Sequence, residues 1–229
     1  MTARTLSAGP TTILYDDTLV SHADDALFTP SERAVAVGGR GAAWIIQGGE
    51  EDWVLRHYRR GGLPAHFVAD AYLWTGLERA RPWREWRLLA ELHSRGLPVP
   101  RPVAARVQRK GLGYSGDLIT RRIPGARSLG ELLAAHHDAI PWKEVGMCVR
   151  RLHEAGIWHA DLNAHNILVD QAGLVWIIDF DRSEWRTDYG HWRQSNMHRL
   201  QRSLRKFRID PSVLQKDWAA LWDGYAEQG

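Results

Sequence analysis

The sequence predicts an α+β fold with two lobes, a β-rich N-lobe at residues 1–123 and a short helical C-lobe at residues 124–229. Two observations lead to this prediction. Short apolar runs alternate with Gly and Asp clusters over residues 11–58, a pattern typical of strands and turns. Segments with apolar residues at helical spacing become frequent in the second half of the chain. Strands that come first and helices that follow indicate an α+β layout.

The composition is that of a globular protein. With 229 residues, 44% of them hydrophobic and 25% charged, the chain is long enough to bury a substantial core. The N-terminus lacks the apolar run of a secretory signal, and no stretch approaches the roughly 18 apolar residues of a membrane span. The single cysteine, Cys148, lies in an apolar-periodic stretch, so we expect it to be buried and reduced. We therefore expect a protein that is cytoplasmic or lies on a membrane from the cytoplasmic side.

The N-lobe is predicted to contain a hairpin and a further strand, at residues 42–47, 52–58 and 117–123. The first two strands flank Gly-Gly-Glu-Glu at residues 48–51, and glycine pairs favour tight hairpin connections. The third strand is expected to stop before Pro124 and Gly125, because a proline cannot donate to a strand ladder.

One helix is predicted in the N-lobe, at residues 81–94. Its apolar residues recur at helical spacing, at Trp83, Trp86, Leu89, Ala90 and Leu92. Pro82 lies near the start and Gly96 follows the end, which are the helix termini that these residue types prefer. The prolines of residues 97–102 exclude a helix there, so an extended segment follows.

The C-lobe is predicted to contain one strand, at residues 174–178, and four helices, at residues 128–135, 141–155, 191–208 and 212–225. Ser128 is the expected N-cap of the first of these helices, since Glu131 follows three residues later in the capping-box pattern. Gly156 is the expected residue just beyond the second.

Two short motifs in the C-lobe carry the clearest chemical signal. Residues 159–166 read His-Ala-Asp-Leu-Asn-Ala-His-Asn, and residues 176–181 read Trp-Ile-Ile-Asp-Phe-Asp. Phosphoryl transfer from ATP needs a carboxylate beside the attacking hydroxyl, an amide oxygen for a metal, and a second carboxylate for the same metal. Asp161, Asn166 and Asp179 supply these groups in that order. We therefore predict a kinase with Asp161 as the catalytic residue and with Asn166 and Asp179 as ligands of Mg²⁺.

The nucleotide side of the site is predicted in the N-lobe. Gly38, Gly39 and Gly41 precede a strand, and glycines let backbone N–H groups approach phosphates closely. This signal is weak alone and gains weight from its place upstream of the catalytic motif. A kinase places a lysine on the following strand, but the first lysine in this chain is Lys110. Arg56 occupies the expected position, and we assign it to the α- and β-phosphates of ATP.

Two further side chains are predicted to support the site. Glu85, on the predicted N-lobe helix, is the expected ion-pair partner of Arg56. Glu91 is the alternative partner. The remaining possibility is that the carboxylate is an ordinary surface group of the helix with no role in the site. Residues 159–166 are called the catalytic segment below. His159 is expected to orient this segment by hydrogen bonding rather than to react.

Four segments give the chain a resemblance to a known family, at residues 56–62, 96–102, 118–125 and 159–166. Over nearly its whole length the chain resembles the bacterial lipopolysaccharide kinases of the Kdo/heptose kinase group. The resemblance implies one protein-kinase-like domain that uses ATP and Mg²⁺. It further implies phosphoryl transfer to the 4-hydroxyl of a 3-deoxy-D-manno-octulosonic acid (Kdo) sugar on a lipid A precursor. The implied location is peripheral, at the cytoplasmic face of the bacterial inner membrane.

Departures from the protein-kinase pattern bear on the alternatives. Protein kinases carry a lysine two residues after the catalytic aspartate, where this chain has Asn163, and Asp181 replaces the glycine of D-F-G. Only 229 − 179 = 50 residues follow Asp179, which leaves little room for an activation segment. A protein kinase is therefore less favoured than a kinase for Kdo or for another core sugar such as heptose. A catalytically silent scaffold is also less favoured, because Asp161, Asn166 and Asp179 are all present. No nucleic-acid motif is present, and no protein partner is predicted.

A basic stretch at residues 198–208 admits two interpretations. Leu200, Leu204 and Phe207 recur at helical spacing, with cationic residues beside and opposite them. The stretch is either a surface for anionic lipid headgroups or a core-packed helix with a solvated basic face. Arg59 and Arg60 are a second candidate for contact with the acidic sugar or its phosphates.

Overall fold

The computed structural model describes residues 1–31, 34–37, 43–58, 72–135, 140–187, 190–207 and 210–227. The chain divides into two compact units. The first comprises Met1–Ser94 and Pro100–Arg122, and the second comprises Arg95–Val99 and Ile123–Gly229. The short segment 95–99, which the sequence assigns to the N-lobe, thus packs with the second unit. None of the helices in the described part of the chain has the length and apolar character that a membrane crossing requires.

An antiparallel sheet forms most of the first unit. Its strands in the described ranges are β1 (Ala3–Ala8), β2 (Thr11–Asp16), β3 (Val35–Val37), β4 (Ala43–Gly48), β5 (Glu51–His57), β6 (Tyr72–Leu73), β7 (Pro102–Lys110) and β8 (Gly113–Arg121). The strand order is β1-β2-β7-β8-β5-β4-β3, and β6 also pairs with β8. Strand β5 therefore lies inside the sheet, between β4 and β8, with both of its edges hydrogen-bonded.

The predicted hairpin is formed by β4 and β5. The two strands are antiparallel, with Gly48 opposite Glu51, so Gly49 and Glu50 make the connection. Gly49 has a φ of 74°, a conformation that a residue with a Cβ adopts only at a cost. The third predicted strand is longer than expected at its start, since β8 begins at Gly113 and ends at Arg121. Strand β1 lies outside the predicted segments.

Helix α1 (Arg81–Ser94) has the predicted bounds. All five apolar residues of the predicted stripe are buried, at Trp83, Trp86, Leu89, Ala90 and Leu92. Gly96 follows with a φ of 70°, the left-handed conformation that commonly ends a helix. The helix contacts β7 and β8, so the sheet provides the apolar surface that this stripe needs.

The side chains of β5 separate onto two faces of the sheet. Trp53 and Leu55 are buried in an apolar core together with Val103 and Ile119. Because side chains alternate along a strand, Arg56 lies on the opposite face, where it contacts Glu85 of α1. The alternation thus places a cation against the helix while the rest of the strand supports the core.

Helices dominate the second unit, which confirms the α+β class and the predicted order of a β-rich part followed by a helical part. The helices are α2 (Leu129–Ala134), α3 (Trp142–Glu154), α4 (Trp192–Leu204) and α5 (Pro211–Ala226). The strands are β9 (Arg127–Ser128), β10 (Ile157–Trp158), β11 (Ile167–Val169), β12 (Val175–Ile177) and β13 (Glu184–Trp185). Strands β12, β11 and β9 form one small antiparallel sheet, and β10 pairs with β13.

Local signals in the second unit correspond to observed caps. The Ser128 hydroxyl accepts from the backbone N–H of Glu131, and the Glu131 carboxylate accepts from the N–H of Ser128, so the predicted capping box is present. Gly156 has a φ of 78° directly after α3. Cys148 on α3 is buried as predicted, and burial raises the pKa of its thiol to about 12, so the thiol stays protonated.

Helices α3 and α5 approach closely because glycines lie at their contact. A Cβ on Gly146 would meet the carbonyl oxygen of Leu221 at 1.9 Å. A Cβ on Gly224 would meet the carbonyl oxygen of Lys143 at 2.0 Å. Both distances are far shorter than a van der Waals contact, so this helix pair depends on the two glycines.

The basic stretch at residues 198–208 starts on a core helix. Leu200 and Leu204 are buried, and α4 ends at Leu204 rather than at residue 208. Phe207 lies 5.7 Å from the ring of His165, centroid to centroid. The apolar side of the stretch is therefore used in packing, which fits the second of its two interpretations. Residue 208 lies outside the described ranges.

Candidate active site

The segment between β10 and β11 carries the predicted catalytic residue. The side chain of Asp161 is 58% exposed, and its Oδ1 accepts a hydrogen bond from Nη1 of Arg199 at 3.0 Å. The backbone carbonyl of Asp161 accepts from the side-chain amides of Asn163 at 3.0 Å and Asn166 at 2.9 Å. Among the described residues no donor bonds Oδ2 of Asp161. Arg199 thus holds one carboxylate oxygen, Oδ1, while Oδ2 is open to a hydrogen-bond donor such as a substrate hydroxyl.

His159 holds this segment against the end of β12. Its Nδ1 accepts from the backbone N–H of Asp161 at 3.2 Å, so its Nε2 carries the proton and donates to the carbonyl of Ile178 at 3.0 Å. Complete burial lowers the pKa of His159, because the charged imidazolium is disfavoured away from water. The ring also packs edge-on against Phe180 at 4.9 Å. This neutral histidine performs the orienting role that the sequence predicts.

The register of β11 and β12 places Asn166 beside Asp179. Ile167 lies opposite Ile177, and the backbone N–H of Ile178 donates to the carbonyl of Asn166 at 3.0 Å. Asp179 therefore follows directly after the residue that faces Asn166. Its φ is 63°, an uncommon conformation for a residue with a side chain and one that Asp tolerates better than most. Such strained positions concentrate at functional sites.

Asn166 and Asp179, at this end of the β11–β12 pair, carry oxygen atoms of the kind that a hard cation binds. Asn166 uses its amide nitrogen on Asp161, which leaves its carbonyl oxygen as a ligand, and Asp179 adds a carboxylate. Mg²⁺ takes oxygen ligands and is commonly held by one or two protein groups together with substrate phosphates and water. In the described ranges no group of three or more His, Cys, Asp or Glu is placed to hold a metal. Asn166 and Asp179 would be a sufficient number of protein ligands for Mg²⁺ that is also bound by phosphates and water.

Three side chains of helix α4 form hydrogen bonds with the catalytic segment. The side chain of Asn196 accepts from the N–H of His159 at 3.1 Å and donates to its carbonyl at 2.8 Å. Ser203 accepts from the N–H of Ala164 at 3.0 Å. Arg199 lies between these two positions on the same face of the helix and contacts Asp161.

Sequence reasoning missed these contacts, although the polar residues 196, 199 and 203 recur at helical spacing. The basic stretch at residues 198–208, which includes Arg199, admits two interpretations, a lipid-facing surface or the solvated face of a core-packed helix. The structure adds a contact that neither interpretation includes, since Arg199 pairs with the carboxylate of Asp161. The periodicity of the leucines marked the buried face, but it did not indicate which polar residues flank the catalytic segment.

The first unit carries the residues predicted for the nucleotide. Nη2 of Arg56 donates to Oε2 of Glu85 and, at 2.9 Å, to the hydroxyl of Tyr58. The Tyr58 hydroxyl donates to the same Glu85 oxygen. Glu85 is only 3% exposed, whereas the alternative partner, Glu91, is exposed. The expected ion pair is thus present, with Glu85 as the partner.

Tyr58 is a part of this cluster that sequence reasoning missed. The guanidinium carbon of Arg56 lies 4.8 Å from the centroid of its ring, within cation–π range. Tyr58 follows Arg56 by two residues, and this spacing on a strand indicates a shared face. The predicted phosphate-binding residues Gly38, Gly39 and Gly41 lie outside the described ranges, as do Arg59 and Arg60.

Comparisons with known proteins agree on one family. A family model described as the lipopolysaccharide kinase (Kdo/WaaP) family matches residues 26–225. A curated 3-deoxy-D-manno-octulosonic acid kinase of Stenotrophomonas maltophilia (strain K279a) is 46% identical over 220 residues, or 93% of this chain and 88% of its own. Enzymes of the same name from Xanthomonas axonopodis pv. citri (strain 306) and Xylella fastidiosa (strain M23) are 44% and 43% identical, with the same coverage.

A solved structure described as monomeric WbdD is a more distant match. It is 18% identical, with a TM-score of 0.43, over 82% of this chain. This chain spans 45% of the length of that one.

Proposed function

The chain belongs to the lipopolysaccharide kinase (Kdo/WaaP) family, and we propose that it transfers the γ-phosphoryl group of ATP to the 4-hydroxyl of a Kdo sugar on a lipid A precursor. As a member of this family it is a phosphotransferase that acts on a sugar hydroxyl. The observation that carries the proposal is the 46% identity with a curated Kdo kinase over 93% of the chain. No observation favours heptose, a protein substrate or a silent scaffold over Kdo.

Asp161 is the proposed base. The acceptor hydroxyl donates its hydrogen bond to Oδ2 of Asp161 and transfers its proton there as its oxygen attacks the γ-phosphorus. A new oxygen–phosphorus bond forms, the bond to the β–γ bridging oxygen breaks, and ADP leaves. The neutral His159, whose Nδ1 accepts from the backbone N–H of Asp161, holds the backbone of the catalytic residue in place for this step.

The remaining predicted residues are assigned to the nucleotide and its cation. Asn166 and Asp179 would hold Mg²⁺, which neutralises negative charge on the phosphates. Arg56 contacts the α- and β-phosphates, with its guanidinium held by Glu85 and Tyr58. Gly38, Gly39 and Gly41 are proposed to offer backbone N–H groups to the same phosphates.

Peripheral contact with the anionic cytoplasmic face of the inner membrane is also proposed. Arg202, Arg205 and Lys206 are exposed, and each cation near such a surface contributes about 1 kcal/mol. Because Leu200 and Leu204 are buried, this contact is electrostatic rather than an insertion. Sedimentation with anionic vesicles should fall when the three cations are neutralised, and unchanged sedimentation would contradict the proposal.

Mass spectrometry tests the proposed reaction. Purified protein, Mg²⁺ and ATP are incubated with a Kdo-bearing lipid A precursor, in parallel with the Asp161→Asn variant. We expect one added phosphoryl group with the wild type, and a loss of about 10²- to 10⁴-fold with the variant, the usual contribution of a general base. No added phosphoryl group, in a preparation that binds ATP, would overturn the assignment of Kdo as the acceptor. Near-normal turnover of the variant would overturn the role of Asp161.

A further inference from the structure

The catalytic segment has no cation of its own. Residues 159–166 contain neither lysine nor arginine, and position 163 is an asparagine. The phosphates and the catalytic carboxylate bring several negative charges to the reacting centre, and kinases and related enzymes place cationic side chains near these charges. In this structure the cation that contacts Asp161 comes from α4, where Nη1 of Arg199 lies 3.0 Å from Oδ1.

The position of Arg199 is determined by buried contacts on both sides of it. Asn196, which is 2% exposed, bonds both backbone groups of His159, and the buried Ser203 bonds the N–H of Ala164. These contacts anchor one face of α4 to the two ends of the segment that carries Asp161. Arg199 therefore reaches Asp161 from a backbone that cannot shift without breaking buried hydrogen bonds.

The Arg199–Asp161 pair is poorly suited to a purely structural role. The side chain of Arg199 is 45% exposed and that of Asp161 is 58% exposed. Ion pairs with this exposure contribute about 0–1 kcal/mol to folding. The buried contacts of Asn196 and Ser203 already join the helix to the segment, so the pair adds little to that connection. Its clearest effect is on the orientation and charge of the Asp161 carboxylate.

We propose that Arg199 is a positioning residue for phosphoryl transfer, which holds Oδ1 of Asp161 so that Oδ2 faces the acceptor hydroxyl. Its fixed positive charge also offsets the negative charge that Asp161 brings near the phosphates. No bond to Arg199 is made or broken, since the proton passes from the hydroxyl to Oδ2 of Asp161. The inference rests on the proposed kinase function and assigns to α4 a role within it.

Steady-state kinetics of two Arg199 variants test the proposal. Arg199→Met should lower kcat by about 10- to 100-fold, since a misplaced catalytic group commonly costs that much, and should leave the KM for ATP within about twofold. Arg199→Lys keeps the charge and should recover part of the loss. The control Lys216→Met, which removes an exposed cation from α5, should behave as wild type. Equal melting temperatures for these proteins would show that folding is intact.

A double variant distinguishes positioning through Asp161 from an independent effect. If Arg199 acts through Asp161, Asp161→Asn with Arg199→Met should be no slower than Asp161→Asn alone, within about threefold. Losses that multiply would overturn the proposal, as would a kcat for Arg199→Met within about twofold of wild type.

Two acceptors keep this test separate from the identity of the sugar. Each rate is measured with the Kdo-bearing precursor and also with water, as ATP hydrolysis. Hydrolysis without transfer to Kdo would overturn the proposed acceptor, while the comparison of Arg199 variants on hydrolysis would still decide the role of Arg199.

Discussion

At the scale of single residues, Arg56 shows how an arginine in place of the usual kinase lysine is accommodated in the proposed nucleotide site. A kinase usually has a lysine at this position, and here the guanidinium donates to Glu85 and Tyr58 and lies 4.8 Å from the centroid of the Tyr58 ring. The planar fork of arginine allows these simultaneous contacts, whereas a lysine ammonium is a point charge on a flexible stem. Because Glu85 is buried, the Arg56 cation should contribute to stability as well as to the proposed phosphate contact.

Replacing Arg56 should therefore affect both ATP affinity and folding. Arg56→Ala leaves the buried Glu85 without this cation, so we expect unfolding free energy to fall by about 3 kcal/mol and the KM for ATP to rise at least about tenfold. Urea denaturation and ATP titration of the rate measure the two effects. The matched control is Arg121→Ala, which breaks a partly exposed pair with Glu51 and should cost about 0–1 kcal/mol without changing KM. An unchanged KM in Arg56→Ala would contradict the phosphate assignment.

At the scale of elements, a buried histidine joins three helices of the second unit. Nδ1 of His153 on α3 accepts from the Tyr225 hydroxyl of α5 at 2.7 Å, and its Nε2 donates to Oδ1 of Asn196 on α4 at 3.3 Å. Desolvation lowers the pKa of His153 to about 4. The same Asn196 holds His159, so the packing of the helices and the backbone of the catalytic segment share one polar network.

The lowered pKa of His153 should make the free energy of unfolding depend on pH. In the unfolded chain the group titrates near 6.5, and in the folded protein near 4, so only the unfolded state gains a proton between these values. The contribution of His153 to the free energy of unfolding is therefore fully present above pH 6.5. It is lost as the pH drops toward 4, by up to about 3 kcal/mol. Urea unfolding from pH 7 to 4.5 should show a smaller decline for His153→Gln than for wild type. His159 has a lowered pKa as well and remains in the variant, so part of the decline persists. Equal declines in the two proteins would contradict the assignment.

At the scale of the whole molecule, the nucleotide and its cation should add to the stability of the chain. A ligand that binds only the folded state at about 100 times its dissociation constant stabilises it by about 2.7 kcal/mol. For a chain of this size that corresponds to a rise in melting temperature of about 5–10 °C with Mg²⁺ and ATP.

The part of this rise that depends on metal should vanish in Asp179→Asn. Melting temperatures are compared for wild type and variant with ATP and Mg²⁺, and with ATP and EDTA. EDTA should reduce the shift in the wild type and have no effect on the variant, because the variant lacks a carboxylate ligand. An equal response to EDTA in both proteins would contradict the assignment of Asp179 to the cation.

The sequence by itself determined the features that depend on near neighbours. The bounds of α1 follow from its apolar period with Pro82 and Gly96, and the Ser128 cap follows from a residue three positions away. The spacing of Asp161, Asn166 and Asp179 indicates kinase chemistry in the same way, because Asp161 and Asn166 share one short motif and Asp179 belongs to a second. These signals lie within a few residues, where local geometry decides the outcome.

Only the tertiary structure decided which distant side chains meet at these motifs. Arg199 reaches Asp161 across 38 residues, Asn196 reaches His159 across 37, and Tyr58 reaches Glu85 across 27. Periodicity shows which face of a helix is buried, but it does not show which segment lies opposite that face. The partner is chosen when the elements pack, since one arrangement must bury the apolar faces and satisfy the buried polar groups together.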